Sequence, residues 1–108
     1  MPHFGLSDRT LLTIRGILAS CPEVEKAILY GSRAKGNYRK GSDIDLTLEG
    51  EQLNHRVLSK IAGQLEESTL PYQVDLSLKN QIDNPHLMAH IERVGVVFYQ
   101  RQNHTDQV

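Results

Sequence analysis

The segment from Gly31 to Asp45 constrains the fold of this chain more than any other part of its sequence. A Gly-Ser pair, Gly31-Ser32, directly follows an apolar run, and ten residues later Asp43-Ile44-Asp45 opens a second apolar run. A glycine at the end of a strand lets the backbone approach a phosphate closely, and a serine at a helix start can donate hydrogen bonds to it. Two carboxylates at strand spacing suit a divalent cation. The segment therefore predicts a site for a nucleoside triphosphate with Mg²⁺.

Helical and strand patterns alternate along the rest of the chain. In the second and third predicted strands apolar residues occupy every second position, so each strand has one apolar and one polar face. We therefore predict an α/β (α+β) domain in which helices cover the apolar face of a sheet and the polar face stays open. The predicted helices are 7–21, 32–35, 51–68 and 85–94, and the predicted strands are 24–30, 43–49, 72–78 and 96–99.

Three aspartates are predicted on the polar face of these strands. Asp43 and Asp45 are two positions apart, so their side chains point to the same side. Asp75 has apolar neighbours on both sides in the next strand and also belongs to a polar face. If the two strands are neighbours, three acids meet and repel one another unless a cation is bound. We predict that Asp43 and Asp45 hold metal, that two ions bind, and that Asp75 is a metal ligand, a proton acceptor, or both.

Residues around the Gly-Ser pair are the candidates for binding the nucleotide. Gly31 allows a close backbone approach, and Ser32 offers a hydroxyl and an amide at a helix start. Arg33 or Lys35 adds positive charge, and the sequence does not decide which of the two points inward. Ser42, at the far end of the same segment, completes the candidate set.

These residues together resemble the signature of the DNA polymerase β-type nucleotidyltransferase superfamily. The chain is similar in particular to the minimal nucleotidyltransferases (MNT) of MNT/HEPN gene pairs, over nearly all of its length. The resemblance implies a small mixed four-stranded sheet with helices covering one face, the polymerase β-like palm. It also implies roles for the matching residues: triphosphate contacts for Gly31 and Ser32, metal binding for Asp43 and Asp45, and the third catalytic carboxylate for Asp75.

The resemblance also implies an activity. MNT proteins pair with a helical HEPN protein, and members of the family act as antitoxins that transfer AMP from ATP to a tyrosine of that toxin. We therefore expect Mg²⁺-dependent AMP transfer to a hydroxyl of a HEPN-like partner. Larger nucleotidyltransferases append domains that hold the acceptor, and a chain of 108 residues has no room for one. We expect another protein to present the acceptor.

Two other functions are alternatives to this interpretation. One is a small-molecule adenylyltransferase of the antibiotic-modifying type, against which the lack of an acceptor domain counts. The other is a non-catalytic antitoxin that neutralises a toxin by binding it, which would not need Asp43, Asp45 and Asp75. His86 and His90 could ligate zinc from one helix face, but no third ligand is evident, so we interpret them as helix-surface residues.

Composition restricts the remaining classes. The length suits a single domain, predicted at 1–100, with a polar tail at 101–108 that we expect to be disordered. A net charge of -1 gives no reason to expect direct nucleic-acid binding. No membrane span or signal peptide is visible, which makes the cytoplasm the expected compartment. The lone Cys21 excludes an intramolecular disulfide, and homo-oligomerisation is left open.

Overall fold

The computed structural model describes residues 3–102, so residues 103–108 of the tail predicted at 101–108 lie outside the described residues. The helices are α1 (Asp8–Ala19), α2 (Ser32–Lys35), α3 (His55–Glu67) and α4 (Pro85–Val94). The strands are β1 (Lys26–Tyr30), β2 (Ile44–Glu49), β3 (Val74–Leu78) and β4 (Val96–Gln100), and a 3-10 turn at Lys79–Gln81 follows β3. Within the described residues, no helix is long and apolar enough to cross a membrane.

Side-chain caps decide where the longer helices begin. Ser7 accepts the backbone N–H of Thr10 at 3.1 Å and starts α1 where the sequence predicts it. Helix α3 was expected from residue 51 but begins at His55, because the Asn54 side chain accepts the N–H of Val57 at 3.0 Å. An asparagine that caps a helix takes extended backbone angles, which places the preceding residues outside the helix.

The sheet has four strands in the order β3-β2-β1-β4. β1 pairs antiparallel with both β2 and β4, whereas β2 and β3 are parallel. A parallel pair needs a crossover connection, and α3 supplies it between β2 and β3. The expected mixed four-stranded sheet is therefore confirmed.

One face of the sheet packs against α1 and α3 and forms the core. Alternate residues of β1 and β2 point into it, and the two helices contribute their apolar stripes. Its fully buried members include Ile14, Leu18, Ala27, Leu29, Ile44, Leu46 and Ile61. This face matches the expectation that helices cover the apolar side of the sheet.

The opposite face is not fully open, because α4 lies over its β1 end. Ile28 points away from the core, since it lies between the inward-facing Ala27 and Leu29. A Cβ at Gly95, directly after α4, would lie 2.8 Å from Cγ2 of Ile28, so helix and strand are in close contact there. Ile91 of α4 is also buried. The sequence prediction of one-sided helix packing missed this contact.

Candidate active site

Pairing of β2 with β3 brings two of the predicted acids together. Asp45 lies directly opposite Asp75 in the parallel register. Two residues further along, the Ser77 hydroxyl donates to the Thr47 hydroxyl at 2.9 Å, which shows that the side chains of these paired positions share one face. Asp45 is half-buried and Asp75 is exposed. Asp45 and Asp75 therefore form an acidic pair on the face opposite the core.

The surroundings of Asp45 disfavour its charged form. Burial raises the pKa of the Asp45 carboxyl above its usual value, and the charge of Asp75, a hydrogen bond with Asp75 and the charge of Asp43 raise that pKa further. A positive charge on His90 would act in the opposite direction. A bound cation offsets the repulsion between neighbouring carboxylates, so the acidic pair fits a divalent metal.

Asp43 differs from the acidic pair because it lies just outside the strand. It precedes β2 and is exposed, although it is close enough for its charge to act on Asp45. Among residues 3–102, no three acidic, histidine or cysteine side chains converge into a preformed metal cluster. Mg²⁺ does not require one, because it commonly binds through one or two carboxylates and completes its shell with water and phosphate oxygens. The donor set fits Mg²⁺, and metal binding by Asp43, Asp45 and Asp75 stays a prediction.

The turn between β1 and α2 lies against the same carboxylate. Gly31 has φ 78° and ψ −158°, a conformation that is strained for residues with a side chain. A Cβ at this position would overlap with Oδ2 of Asp45. Ser32 follows as the first residue of α2 and is half-buried. The predicted phosphate-contacting pair and the predicted metal-binding aspartate are therefore neighbours in space.

Replacing Gly31 with alanine is expected to destabilise the protein by about 2–3 kcal/mol, because the residue would be strained and would press on Asp45. Gly36 is the matched control: it has φ 92°, and nothing lies within 4 Å of a Cβ built there. Gly36→Ala should cost only about 1 kcal/mol, for backbone strain alone. Urea unfolding of both variants measures the difference, and equal losses would show that the contact with Asp45 is unimportant.

Arg33 is not presented to the nucleotide as the sequence suggested. Its Nε and Nη2 donate to the Ser42 carbonyl at 3.0 and 2.9 Å, and its Nη1 donates to the Phe4 carbonyl at 2.7 Å. The guanidinium carbon also lies 4.8 Å from the Tyr72 ring centroid and 5.3 Å from that of Tyr38. Only 3% of Arg33 is exposed. The side chain joins the N-terminal segment to the loop before β2, and it is not free to bind a triphosphate.

Ser42 lies at the end of that loop. Its hydroxyl accepts the backbone N–H of Arg39 at 2.8 Å, and its carbonyl is the one that binds Arg33. These bonds define the loop conformation that leads into β2. A direct contact between Ser42 and nucleotide stays a prediction, and the exposed Lys35 is the remaining basic candidate on α2.

Two residues that the sequence analysis did not assign to the site lie within it. Tyr30 is opposite Asp45 in the antiparallel register. Burial raises the pKa of the Tyr30 hydroxyl, and the charges of Asp45 and Asp75 raise it further, whereas a hydrogen bond with Ser77 lowers it. His90 of α4 accepts the N–H of Gly31. Tyr30 could have been assigned from the sequence, because it is the last residue of β1 and strand alternation fixes the face to which its side chain points. No local sequence signal placed His90 here.

The raised pKa of Asp45 predicts how stability depends on pH. The unfolded chain should release this proton near pH 3.9, whereas the folded chain retains it to higher pH. The metal-free protein should therefore lose stability as the pH rises through this interval. The variant Asp45→Asn should melt at the wild-type temperature near pH 3 and above it at pH 7. An Asp45→Asn variant that is less stable than the wild type at pH 7 would show that burial and neighbouring charges do not disfavour the Asp45 carboxylate.

Comparison with known proteins gives consistent matches. Residues 13–104 match the family described as Polymerase beta, Nucleotidyltransferase. A relative from Methanocaldococcus jannaschii, named "Putative protein adenylyltransferase", is 35% identical over 78 residues, which cover 70% of this chain and 78% of the relative.

Solved structures share the fold at lower sequence identity. A chain in a crystal structure of a toxin–antitoxin with AMP-PNP has a TM-score of 0.67 at 22% identity, covering 85% of this chain and 74% of that one. A structure of a tri-AMPylated HEPN toxin from Shewanella oneidensis in complex with its MNT antitoxin gives a TM-score of 0.63 at 20% identity, covering 87% and 72%.

Proposed function

Because the chain belongs to the polymerase beta nucleotidyltransferase family, we propose that it is a Mg²⁺-dependent protein adenylyltransferase. It transfers AMP from ATP to a tyrosine hydroxyl of a HEPN-like partner. It thereby acts as an antitoxin in the cytoplasm. The observation that carries this proposal is the position of Asp45, which lies opposite Asp75 on the neighbouring strand and contacts the Gly31 turn.

The nucleotide half of the site consists of the acidic pair and the turn. Asp43, Asp45 and Asp75 would hold Mg²⁺, and when bound the metal supplies positive charge that neutralises the triphosphate. Ser32 offers its hydroxyl and backbone N–H to the phosphates. Gly31 lets them approach, because a side chain there would fill the space beside Asp45.

The reaction requires one bond to form and one to break. The acceptor oxygen bonds to the α-phosphorus of ATP, the bond from that phosphorus to the bridging oxygen breaks, and pyrophosphate leaves. The hydroxyl proton moves to a carboxylate of the acidic pair. Asp75 is our candidate acceptor for the proton, since it is exposed where Asp45 is half-buried. Asp75 retains its second assignment as a metal ligand.

Three observations support a protein as the acceptor. Asp43 and Asp75 are exposed, so the site is accessible to a large molecule. The relative from M. jannaschii is named as a protein adenylyltransferase. A structural neighbour at a TM-score of 0.63 is an MNT antitoxin in complex with an AMPylated HEPN toxin.

Labelled ATP tests the proposal and its alternatives. The chain is incubated with Mg²⁺, the protein encoded beside it, and ATP labelled at either the α or the γ phosphate. Label should reach the partner from the α position only. Label from the γ position would indicate phosphate transfer instead. Label on an added small alcohol alone would favour a small-molecule enzyme. Toxin neutralisation that survives Asp43→Ala with Asp45→Ala would favour a non-catalytic antitoxin.

A further inference from the structure

We propose that His90 positions the Gly31–Ser32 turn and is thereby part of the nucleotide site. Nε2 of His90 accepts the backbone N–H of Gly31 at 3.2 Å, a bond that spans 59 positions of the chain. It joins α4 to the turn between β1 and α2. The consequence for nucleotide binding rests on the function proposed above.

The His90 ring is held in place from more than one side. Its plane meets the Tyr30 ring edge to face, at 82° with centroids 6.2 Å apart. The next residue, Ile91, is buried, and the end of α4 packs on Ile28 through Gly95. Because Nε2 accepts a hydrogen bond, the proton of the neutral ring is on Nδ1. His90 is thus a fixed acceptor and not a freely rotating surface residue.

This bond determines which groups of the turn face the phosphates. The Gly31 N–H is directed to α4, so it is not offered to a nucleotide. Fixing this peptide also helps to fix the Gly31 backbone, whose φ of 78° and ψ of −158° together set the direction of the Ser32 N–H. Phosphate binding therefore belongs to Ser32, and loss of the acceptor would let the turn sample other orientations.

Matched substitutions separate an acceptor role from simple packing. In His90→Gln the side-chain amide oxygen can reach the position of Nε2, whereas in His90→Leu only the apolar volume remains. His86→Leu is the control, because His86 lies one turn earlier on α4 and is exposed. If His90 only packs, His90→Leu should protect the Gly31 amide and bind nucleotide as well as His90→Gln. If His90 positions the turn, His90→Gln should do both better than His90→Leu.

Hydrogen exchange of the Gly31 amide, followed by NMR, tests the proposal without any nucleotide. Exchange at Gly31 should be at least about tenfold faster in His90→Leu than in the wild type, since one hydrogen bond is lost, and it should stay protected in His90→Gln and His86→Leu. A trans-hydrogen-bond coupling between the Gly31 nitrogen and Nε2 of His90 should be visible in the wild type. Unchanged exchange in His90→Leu, or absence of the coupling, would overturn the proposal.

Binding of Mg²⁺ with the α,β-methylene analogue of ATP tests the functional consequence. The dissociation constant should rise about tenfold in His90→Leu and recover in His90→Gln, as expected for one lost hydrogen bond. Equal affinity for His90→Leu and the wild type would overturn the role in binding. Equal weakening in both His90 variants would do the same and assign the effect to packing. A wild type that binds no analogue would reject the proposed function, and the exchange experiment would still decide the positioning role.

Discussion

Replacing Asp45 with asparagine is expected to lower AMP transfer about a thousandfold, equivalent to about 4 kcal/mol in the activation barrier. Asp45 is the acid that faces Asp75 and lies against the Gly31 turn, so in the proposed function both metal binding and phosphate placement depend on it. Asparagine has nearly the same shape but lacks the charge. The initial rate of label transfer at saturating ATP measures the effect.

The loss should occur in a folded protein. Because burial and the charges of Asp75 and Asp43 disfavour the Asp45 carboxylate, the metal-free Asp45→Asn variant should be at least as stable as the wild type at neutral pH. Asp83→Asn is the control, since Asp83 is exposed outside the site, and it should retain the wild-type rate. A folded Asp45→Asn variant with more than about a tenth of wild-type activity would show that this carboxylate is not central to catalysis.

Replacing Arg33 with methionine is expected to destabilise the fold by about 3 kcal/mol, through the loss of charge-assisted hydrogen bonds and of stacking on tyrosine rings. The buried guanidinium donates to the carbonyls of Phe4 and Ser42, and methionine leaves both acceptors without that partner. For a domain of this size the melting temperature should fall by roughly 10–20 °C. Thermal unfolding followed by circular dichroism measures the shift.

Two further variants separate the loss of the Arg33 contacts from the loss of a positive charge. Lys35→Met removes a positive charge from the same short helix, but Lys35 is exposed, so stability should change by less than about 0.5 kcal/mol. Arg33→Lys keeps the charge but cannot reach both carbonyls, so its loss should lie between the two. An Arg33→Met variant as stable as Lys35→Met would refute a structural role and reopen the phosphate-binding interpretation.

The sequence predicted the elements of the fold because their patterns are local. Strand alternation placed Asp45 and Asp75 on polar faces, and caps such as Ser7 marked helix starts. The register that sets Asp45 opposite Asp75 is not local, since it depends on how β2 and β3 align. Sequence parity could therefore predict that these acids share a side of the sheet but not that they are direct neighbours.

The errors concern side chains whose partners are distant in the chain. Arg33 carries a charge in a basic segment, which favoured a phosphate contact, yet its partner carbonyl at Phe4 belongs to the N-terminal segment. His90 was interpreted as a surface residue, because its partner at Gly31 lies in a different part of the chain. Neither contact leaves a periodic signal, so only the folded arrangement reveals it.

Intact-mass measurement of the proposed HEPN-like partner tests AMP transfer by this chain most directly. The partner is incubated with this chain, ATP and Mg²⁺, and fragmentation then locates any added mass. We predict an increase by one or more AMP groups on tyrosine, which requires Mg²⁺ and is absent when Asp45→Asn replaces the wild type. An unchanged partner mass with a folded, nucleotide-binding chain, or an equal adduct from Asp45→Asn, would contradict the account.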